Sequence, residues 1–195
     1  MIFNKNKPSH WITDLGSTLK NTKCKLSGKP IAFDEAMEKL GDIFISASKN
    51  RCSVWWVANG GSLAVCSHLS QDIINKLDVK SFVCSDPSLI TCMANDFGYE
   101  HVYSEPLKRL VEKGDILIAI SSSGDSQNII NAVTLALRHE LILVTFSGFK
   151  ITNKLYESNK GLAFYLPSSL YGLVEVGHEA LLHAVIESLW LEHNG

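Results

Sequence analysis

Short apolar runs alternate with longer runs of helical periodicity from residue 52 to the C-terminus. The apolar runs predict five strands, at 54–58, 81–84, 116–120, 141–146 and 162–166. The runs between and after them predict helices at 63–77, 87–95, 102–113, 128–137 and 173–192. Strands that are apolar throughout and separated by helices are typical of a parallel sheet covered on both faces. We therefore predict an α/β fold, a three-layer α/β/α sandwich around a five-stranded parallel sheet.

Two further helices are predicted ahead of this sheet, at 9–24 and 33–49, each with apolar residues spaced along one face. The polar residues 21–30 are interpreted as the connection between them. Neither helix can bury its apolar stripe alone, so each must pack on the core or on another subunit. Because no repeat or boundary is visible, we predict one domain over residues 1–195, in which residues 1–50 form a helical extension that contributes to oligomer packing.

The composition limits which kinds of binding partner and which cellular compartment we expect. The 195 residues carry a net charge of −2, which does not favour binding to nucleic acid or to an anionic membrane surface. The N-terminus lacks the apolar core of a signal peptide, and no apolar run is long enough to cross a bilayer. The five cysteines are odd in number and form no C-x-x-C pair. We therefore expect a cytoplasmic protein with reduced thiols and with neither a nucleic-acid nor a membrane partner.

Two polar turns follow predicted strands and open helices: Asn59-Gly60-Gly61-Ser62 and the segment Ser121–Ser126, which we name the serine turn. Ligands of open parallel sheets bind at the carboxyl ends of the strands. Free amides at a helix N-terminus, together with serine hydroxyls, suit a phosphate. The alternative for the serine turn is an ordinary capped helix, with Ser123 or Asp125 as the N-cap. Because the Rossmann and Walker glycine patterns are absent, a phosphorylated ligand smaller than a nucleotide cofactor is indicated.

Two helices carry residues that suit proton transfer or metal binding. His68 and Asp72 lie four residues apart and project from one helix face, either as half of a metal site or as a surface pair that stabilises the helix slightly. The last helix carries Glu175, His178 and His183 in a mostly apolar run. At about 100° per residue, Glu175 lies near both histidines, which point roughly 140° apart. Helical geometry alone does not choose between the histidines, and a core role is an alternative for either.

The order of these motifs resembles the sugar isomerase (SIS) domain family, and within it the phosphoheptose isomerases. The resemblance runs from about residue 56 to residue 189 and rests on Asn59-Gly60-Gly61-Ser62, Asn95-Asp96-Phe97-Gly98, the serine turn and the histidines of the last helix. It implies a homotetramer with active sites at subunit interfaces. It also implies isomerisation of sedoheptulose 7-phosphate to D-glycero-D-manno-heptose 7-phosphate, in bacterial heptose synthesis for lipopolysaccharide or capsule.

The resemblance also assigns roles to individual residues. Asp72 and His183 would be catalytic, because moving a proton between adjacent carbons needs an acid and a base. One zinc ion per subunit would be bound by His68, Asp72, Glu175 and His183. The substrate would be bound by Asn59, Gly60, Gly61, Ser62, Asn95, Asp96, Ser121, Ser122, Ser123, Ser126 and Glu175.

Three positions depart from the family's usual residues: Asp72 replaces glutamate, Gly172 aspartate and Glu175 glutamine. In addition, Lys76 replaces arginine and lacks its bidentate fork. These changes keep open a second function, a non-catalytic SIS module that binds a sugar phosphate or a partner protein such as the replication initiator. A third alternative is an SIS aldolase, aminotransferase-domain or phosphopentose isomerase relative. Those proteins share the serine turn, but not the N-G-G-S and N-D-F-G motifs as a set.

Overall fold

The computed structural model describes residues 7–157 and 160–194. Its helices are α1 (Pro8–Lys20), α2 (Phe33–Asn50), α3 (Gly60–Leu77), α4 (Pro87–Phe97), α5 (Ser104–Leu110), α6 (Gln127–Arg138), α7 (Lys154–Glu157) and α8 (Tyr171–Asn194), with a 3₁₀ turn at Tyr99–His101. Its strands are β1 (Lys23–Leu26), β2 (Lys29–Ile31), β3 (Ser53–Val57), β4 (Lys80–Val83), β5 (Ile116–Ser121), β6 (Ile142–Ser147) and β7 (Leu162–Tyr165).

These strands form a sheet in the order β2-β1-β7-β6-β5-β3-β4. The strands β4, β3, β5, β6 and β7 are parallel neighbours, which confirms the predicted parallel sheet. Beyond β7, however, β1 pairs antiparallel with β7, and β2 pairs antiparallel with β1. The predicted count of five strands is therefore wrong, since the described residues form a seven-stranded sheet.

The two additional strands form a hairpin in the segment that was interpreted as a polar connection. Lysines at positions 23 and 29 are exposed, whereas Cys24 is buried, so no continuous apolar run marks these strands. Ser27 and Gly28 form the turn with φ values of 49° and 80°, as a two-residue hairpin loop requires. Lysines on an edge strand also discourage pairing with another chain. A short edge hairpin of this kind lacks the hydrophobic run on which the strand predictions depended.

Other boundaries also differ from the expectation. The first helix ends at Lys20 rather than at residue 24, because the chain enters β1 at Lys23. The helix predicted at 102–113 is shorter, since α5 spans Ser104–Leu110 and Val111 is extended, with ψ at 147°. The single turn of α7 was not predicted.

Alternate residues of the central strands pack into two cores, one on each face of the sheet. Ile116, Ile118 and Ile120 of β5 pack on one face, in a cluster that includes residues of α2, α3 and α8. Leu117 and Ala119 pack on the other face, in a cluster that includes residues of α5 and α6. This alternation is the period of a strand, and it confirms the three-layer architecture.

The N-terminal helices cover the core of their own chain. Helix α1 packs on α8, and α2 packs on α3 and α8, where Leu40 and Phe44 are fully buried. Ile12 of α1 stays 63% exposed, and a contribution of residues 1–50 to oligomer packing remains a prediction. In the described part of the chain, no helix combines the length and the apolar character needed to span a bilayer.

Candidate functional site

The serine turn connects the carboxyl end of β5 to α6. Ser121 Oγ donates a hydrogen bond of 3.3 Å to Ser126 Oγ and lies 3.5 Å from Ser123 Oγ. The Gly124 amide donates to Ser121 Oγ at 3.1 Å, with a φ of +69° that glycine adopts without strain. The N-cap of α6 is Ser126, and its side chain makes no capping hydrogen bond. The alternative of Ser123 or Asp125 as N-cap is therefore wrong.

Helix α3 also starts without a side-chain cap. Its N-cap is Asn59, which makes no capping hydrogen bond because its side chain is engaged elsewhere. Asn59 Nδ2 donates to Asn128 Oδ1 at 3.0 Å, and Asn59 Oδ1 accepts from Asn128 Nδ2 at 2.8 Å and from the Tyr99 hydroxyl at 3.1 Å. These bonds tie the starts of α3 and α6 together. Asn128 was not predicted as part of the site, although its place two residues after the serine turn could have suggested it.

A cavity of about 110 Å³, which we name the serine cavity, lies between these two helix starts. Ser62 Oγ in the first turn of α3 and Ser122 Oγ directly after β5 are 3.5 Å apart. The Glu175 carboxylate reaches from α8 over Gly61, so that a Cβ on Gly61 would lie 2.6 Å from Glu175 Oε2. The lining residues are Asn59, Ser62, Ile120, Ser121, Ser122, Ser123, Ser126, Tyr171 and Glu175. The cavity therefore combines serine hydroxyls, two helix N-termini and one carboxylate, which suits a ligand with both an anionic group and hydroxyls.

A second group of reactive side chains forms where α3 packs on α8. His68, Asp72 and His183 each offer one ligand atom, and these atoms all lie within 4.8 Å of one another. His183 Nδ1 is 3.6 Å from Asp72 Oδ2, and the two imidazole rings have centroids 5.1 Å apart. Asp72 is buried, whereas His68 is exposed. Two imidazoles and one carboxylate are a donor set that fits zinc and leaves a fourth position open.

Lys76 is the cationic neighbour of this His/Asp/His group. Its ammonium donates to Asp72 Oδ2 at 3.1 Å and also to Glu187. The hydrogen bond to Glu187 and, after it, the one to Asp72 raise the pKa of Lys76. A metal bound by Asp72 would therefore share this carboxylate with a charged ammonium.

Comparison with known families matches residues 31–148, more than half of the chain, to the SIS domain. The chain belongs to the SIS domain family. The phosphoheptose isomerase of Fusobacterium nucleatum is 32% identical over 164 residues, which cover 80% of this chain and 80% of that protein. The phosphoheptose isomerase of Cytophaga hutchinsonii is 34% identical over 118 residues, which cover 58% of this chain and 62% of that protein. The match to the Cytophaga protein therefore spans less than two thirds of that relative.

Solved structures share this SIS fold. A phosphoheptose isomerase from Neisseria gonorrhoeae superposes with a TM-score of 0.79 at 20% identity, covering 92% of this chain and 94% of that one. One from Francisella tularensis superposes with a TM-score of 0.80 at 19% identity, covering 94% of this chain and 96% of that one. At these identities the likeness establishes the fold.

Most of the predicted site residues of this SIS domain fall into two separate places. Among the predicted zinc ligands, Glu175 does not join the group of His68, Asp72 and His183 and lines the serine cavity instead. Glu175 precedes His183 by eight residues of α8, roughly 12 Å of helix rise. None of the three grouped residues lines the serine cavity.

Two predicted substrate-binding residues lie apart from both places. Asn95 and Asp96 are exposed at the end of α4, where Asn95 Nδ2 donates to Asp96 Oδ1 at 2.8 Å, and neither lines the serine cavity. Of the neighbouring residues, Tyr99 is the one whose side chain bonds to Asn59. A role of Asn95 and Asp96 in substrate binding within a single chain therefore has no geometric support here.

The structure also separates the two histidines between which helical geometry could not choose. His183 joins the His/Asp/His group, whereas His178 is fully buried, with Nε2 3.2 Å from the Ser147 carbonyl and its ring edge-on to Phe146. Burial lowers the pKa of His178 from 6.5 to about 4. A neutral core imidazole of this kind suits packing rather than proton transfer at neutral pH.

Proposed function

We propose that this SIS domain is an aldose–ketose isomerase that converts sedoheptulose 7-phosphate to D-glycero-D-manno-heptose 7-phosphate. The observation that carries the proposal is the serine cavity between two helix starts without side-chain caps, with the His/Asp/His group further along one of the same helices. The relatives named phosphoheptose isomerase, at 32–34% identity, support the same reaction. We place it in the cytoplasm, in heptose synthesis for lipopolysaccharide or capsule.

The serine cavity would hold the phosphate end of the substrate. The hydroxyls of Ser62, Ser121, Ser122, Ser123 and Ser126 can each turn a proton toward a phosphate oxygen. The positive ends of the α3 and α6 dipoles favour the same negative charge. These groups fix the substrate and take no part in moving protons.

The hydroxyl groups of the sugar would form hydrogen bonds with other residues at the cavity. Asn59 lines the cavity, and we assign the backbone of Gly60 and Gly61, which follow it at the start of α3, to the sugar as well. The Glu175 carboxylate accepts hydrogen bonds from hydroxyls but repels a phosphate, so we assign it to the sugar. This assignment explains why a carboxylate can share a cavity with the phosphate-binding serines.

Asp72 and His183 would move the protons. The reaction transfers one proton between adjacent carbons and another between their oxygens, which an acid and a base in contact can do. His183 Nδ1 and Asp72 Oδ2 are 3.6 Å apart, so the two groups can serve neighbouring substrate atoms. Lys76 donates to the same Asp72 oxygen and so helps to hold the carboxylate in place.

We further propose that one zinc ion per subunit is bound by His68, Asp72 and His183. A bound zinc would stabilise negative charge on the substrate oxygen as a Lewis acid. Glu175 would join such a site only from a second subunit, because its own carboxylate lines the serine cavity of its chain.

A homotetramer with shared active sites fits this division. Ser62 and His68 are six residues apart on α3, which places them about 9 Å apart along the axis and about 120° apart around it. The two clusters of one chain therefore face different directions, and we propose that one subunit supplies the serine cavity and another the His/Asp/His group. The exposed side of the N-terminal extension would contribute to the packing.

The direct test is to incubate the protein with sedoheptulose 7-phosphate, with and without zinc, and to follow aldose formation by NMR. His183→Ala should lower kcat by about a hundredfold or more, since acid–base groups contribute that much. His139→Ala, a partly exposed histidine at the end of α6 that belongs to neither cluster, is the matched control and should keep wild-type activity. Absence of turnover with sedoheptulose 7-phosphate and other C5–C7 ketose phosphates would refute the proposal; phosphate binding without turnover would support the non-catalytic SIS module.

Sharing of sites between subunits has its own test. Ser122→Asp should inactivate the enzyme by repelling the phosphate, and His183→Ala by removing proton transfer. Mixed tetramers of the two variants would regain part of the activity if sites are shared, because some sites then contain neither change. Mixed tetramers without activity would show that each site lies within one chain.

A further inference from the structure

We propose that Asn153 is a positioning residue that holds the serine turn in its anion-binding shape. The inference rests on the proposed function in one respect, namely that the serine turn binds the phosphate of the substrate. Asn153 precedes α7, in a loop for which the sequence suggested no role.

The Asn153 side chain is a buried hub of hydrogen bonds. It is 1% exposed, and its Nδ2 donates to the carbonyl of Lys150 at 2.7 Å, to the carbonyl of Gly148 at 3.2 Å and to Ser147 Oγ at 3.2 Å. Its Oδ1 accepts from the Tyr156 amide at 2.9 Å. This one amide therefore fixes the whole loop between β6 and α7.

The loop fixed by Asn153 is bonded directly to the serine turn. The Leu155 amide donates to the Gly124 carbonyl at 2.9 Å, and the Lys154 amide donates to Asp125 Oδ1 at 3.0 Å. On the other side, the Gly148 amide donates to the Ser122 carbonyl at 3.0 Å. One backbone amide of the loop and two of the first residues of α7 thus hold Ser122, Gly124 and Asp125 of the turn.

Asn153 also sets the position of the turn by contact. Gly124 has a φ of +69°, and a Cβ at Gly124 would collide with the amide group of Asn153. The turn backbone therefore lies directly on the Asn153 side chain. Since the serine hydroxyls are short, their positions follow this backbone closely, and a shift of the turn would move all of them relative to a bound phosphate.

Two substitutions test this role, one at the buried Asn153 and one at the exposed Asp125. Asn153→Ala removes all the hydrogen bonds of the Asn153 side chain. Asp125→Ala removes only the side-chain acceptor of the Lys154 amide. Asp125→Asn keeps an acceptor at the same place and should rescue the loss. Thr152→Ala, an exposed neighbour in the same loop, is the matched control and should behave as wild type.

The measurements are the rise in melting temperature on adding inorganic phosphate and, separately, kcat and KM for the sugar phosphate. Asn153→Ala should lose most of the phosphate-induced rise and should raise KM by about ten- to a hundredfold, with kcat changed by less than about threefold, because misplacement of binding groups by about 1 Å costs on this scale. Asp125→Ala should show a smaller change in the same direction. A general structural defect would lower the melting temperature without this separation of KM from kcat.

The outcomes separate this inference from the proposed function. A wild-type protein that responds to phosphate but turns over no sugar phosphate contradicts the isomerase, while a lost response in Asn153→Ala still supports the positioning role. A folded Asn153→Ala or Asp125→Ala variant with the wild-type phosphate response overturns the positioning role. A wild-type protein without any phosphate response overturns it as well.

Discussion

Burial of His178 makes the stability of this domain depend on pH. The imidazole is fully buried in α8, and this burial lowers its pKa from 6.5 to about 4. The unfolded chain then binds a proton more readily than the folded one between these two values. The contribution of the neutral imidazole to stability is therefore complete above about pH 6.5 and is lost as the pH falls toward about 4.

The size of the effect follows from the two pKa values. One pKa unit corresponds to about 1.4 kcal/mol, so the full difference amounts to about 3 kcal/mol. At about pH 5, partway through the window, the expected loss in the free energy of unfolding is about 2 kcal/mol relative to neutral pH. This loss is a large fraction of the stability of an ordinary domain.

Urea unfolding of the wild-type protein and of His178→Gln, at neutral pH and at about pH 5, measures this term. Glutamine can still donate to the Ser147 carbonyl but does not titrate in this range. The drop in stability on acidification should therefore be smaller in His178→Gln by about 2 kcal/mol, whatever the variant costs at neutral pH. A chelator in all samples removes any contribution of metal bound by His68 and His183.

His10→Gln is the matched control, since His10 is exposed on α1. It should show the full wild-type drop in stability. If His178→Gln and the wild-type protein lose equal stability on acidification, then His178 is not the group responsible and its assignment as a neutral core residue is incorrect.

Two substitutions test the packing of the sheet, and a third tests helix propensity in α1. Gly161→Ala should destabilise the fold by about 2–3 kcal/mol, because a Cβ there collides with the backbone carbonyl of Leu143, and a thermal melt unchanged from wild type would contradict this. Gly16→Ala, in the middle of α1 with no atom within 4 Å of the added Cβ, should instead stabilise by about 0.5–1 kcal/mol in the same assay. Trp55→Phe should cost about 2–3 kcal/mol in urea unfolding, because Trp55 Nε1 donates to the buried Asp115 carboxylate at 2.9 Å; a loss under about 0.5 kcal/mol would show that this bond is replaced by solvent.

The strands buried on both faces could be predicted because such strands consist of continuous apolar residues. Residues 116–120 are apolar throughout since both faces of β5 are covered. The β1–β2 hairpin could not be found in this way. Lys23 and Lys29 are exposed, Lys25 is paired with Glu157 and Cys24 alone is buried, so a four-residue strand there resembles a polar loop.

Some residues of the candidate site could likewise be predicted from the sequence, and others could not. The two polar turns were predictable, because a parallel sheet brings the carboxyl ends of its strands to one edge. His68 and Asp72 were predictable as a pair from their spacing of four residues. The choice of His183 over His178 needed the packing of α8 against α3 or a family resemblance, since both histidines interrupt the same apolar run. Asn153 could not be predicted, because its role depends on where a loop folds in space.

The arrangement of α3 and α8 explains why the serine cavity and the His/Asp/His group lie apart in one chain. Both helices begin at the cavity, with Ser62 in the first turn of α3 and Glu175 in the second turn of α8. Both then contribute to the His/Asp/His group roughly two turns later, at His68 and His183. The two helices therefore run alongside each other with both N-termini at the serine cavity. The spacing of Ser62 and His68 along α3 already separates the two clusters, and the packing of α8 on α3 adds Glu175 to one and His183 to the other. A change in the relative position of α3 and α8 would therefore alter both clusters together.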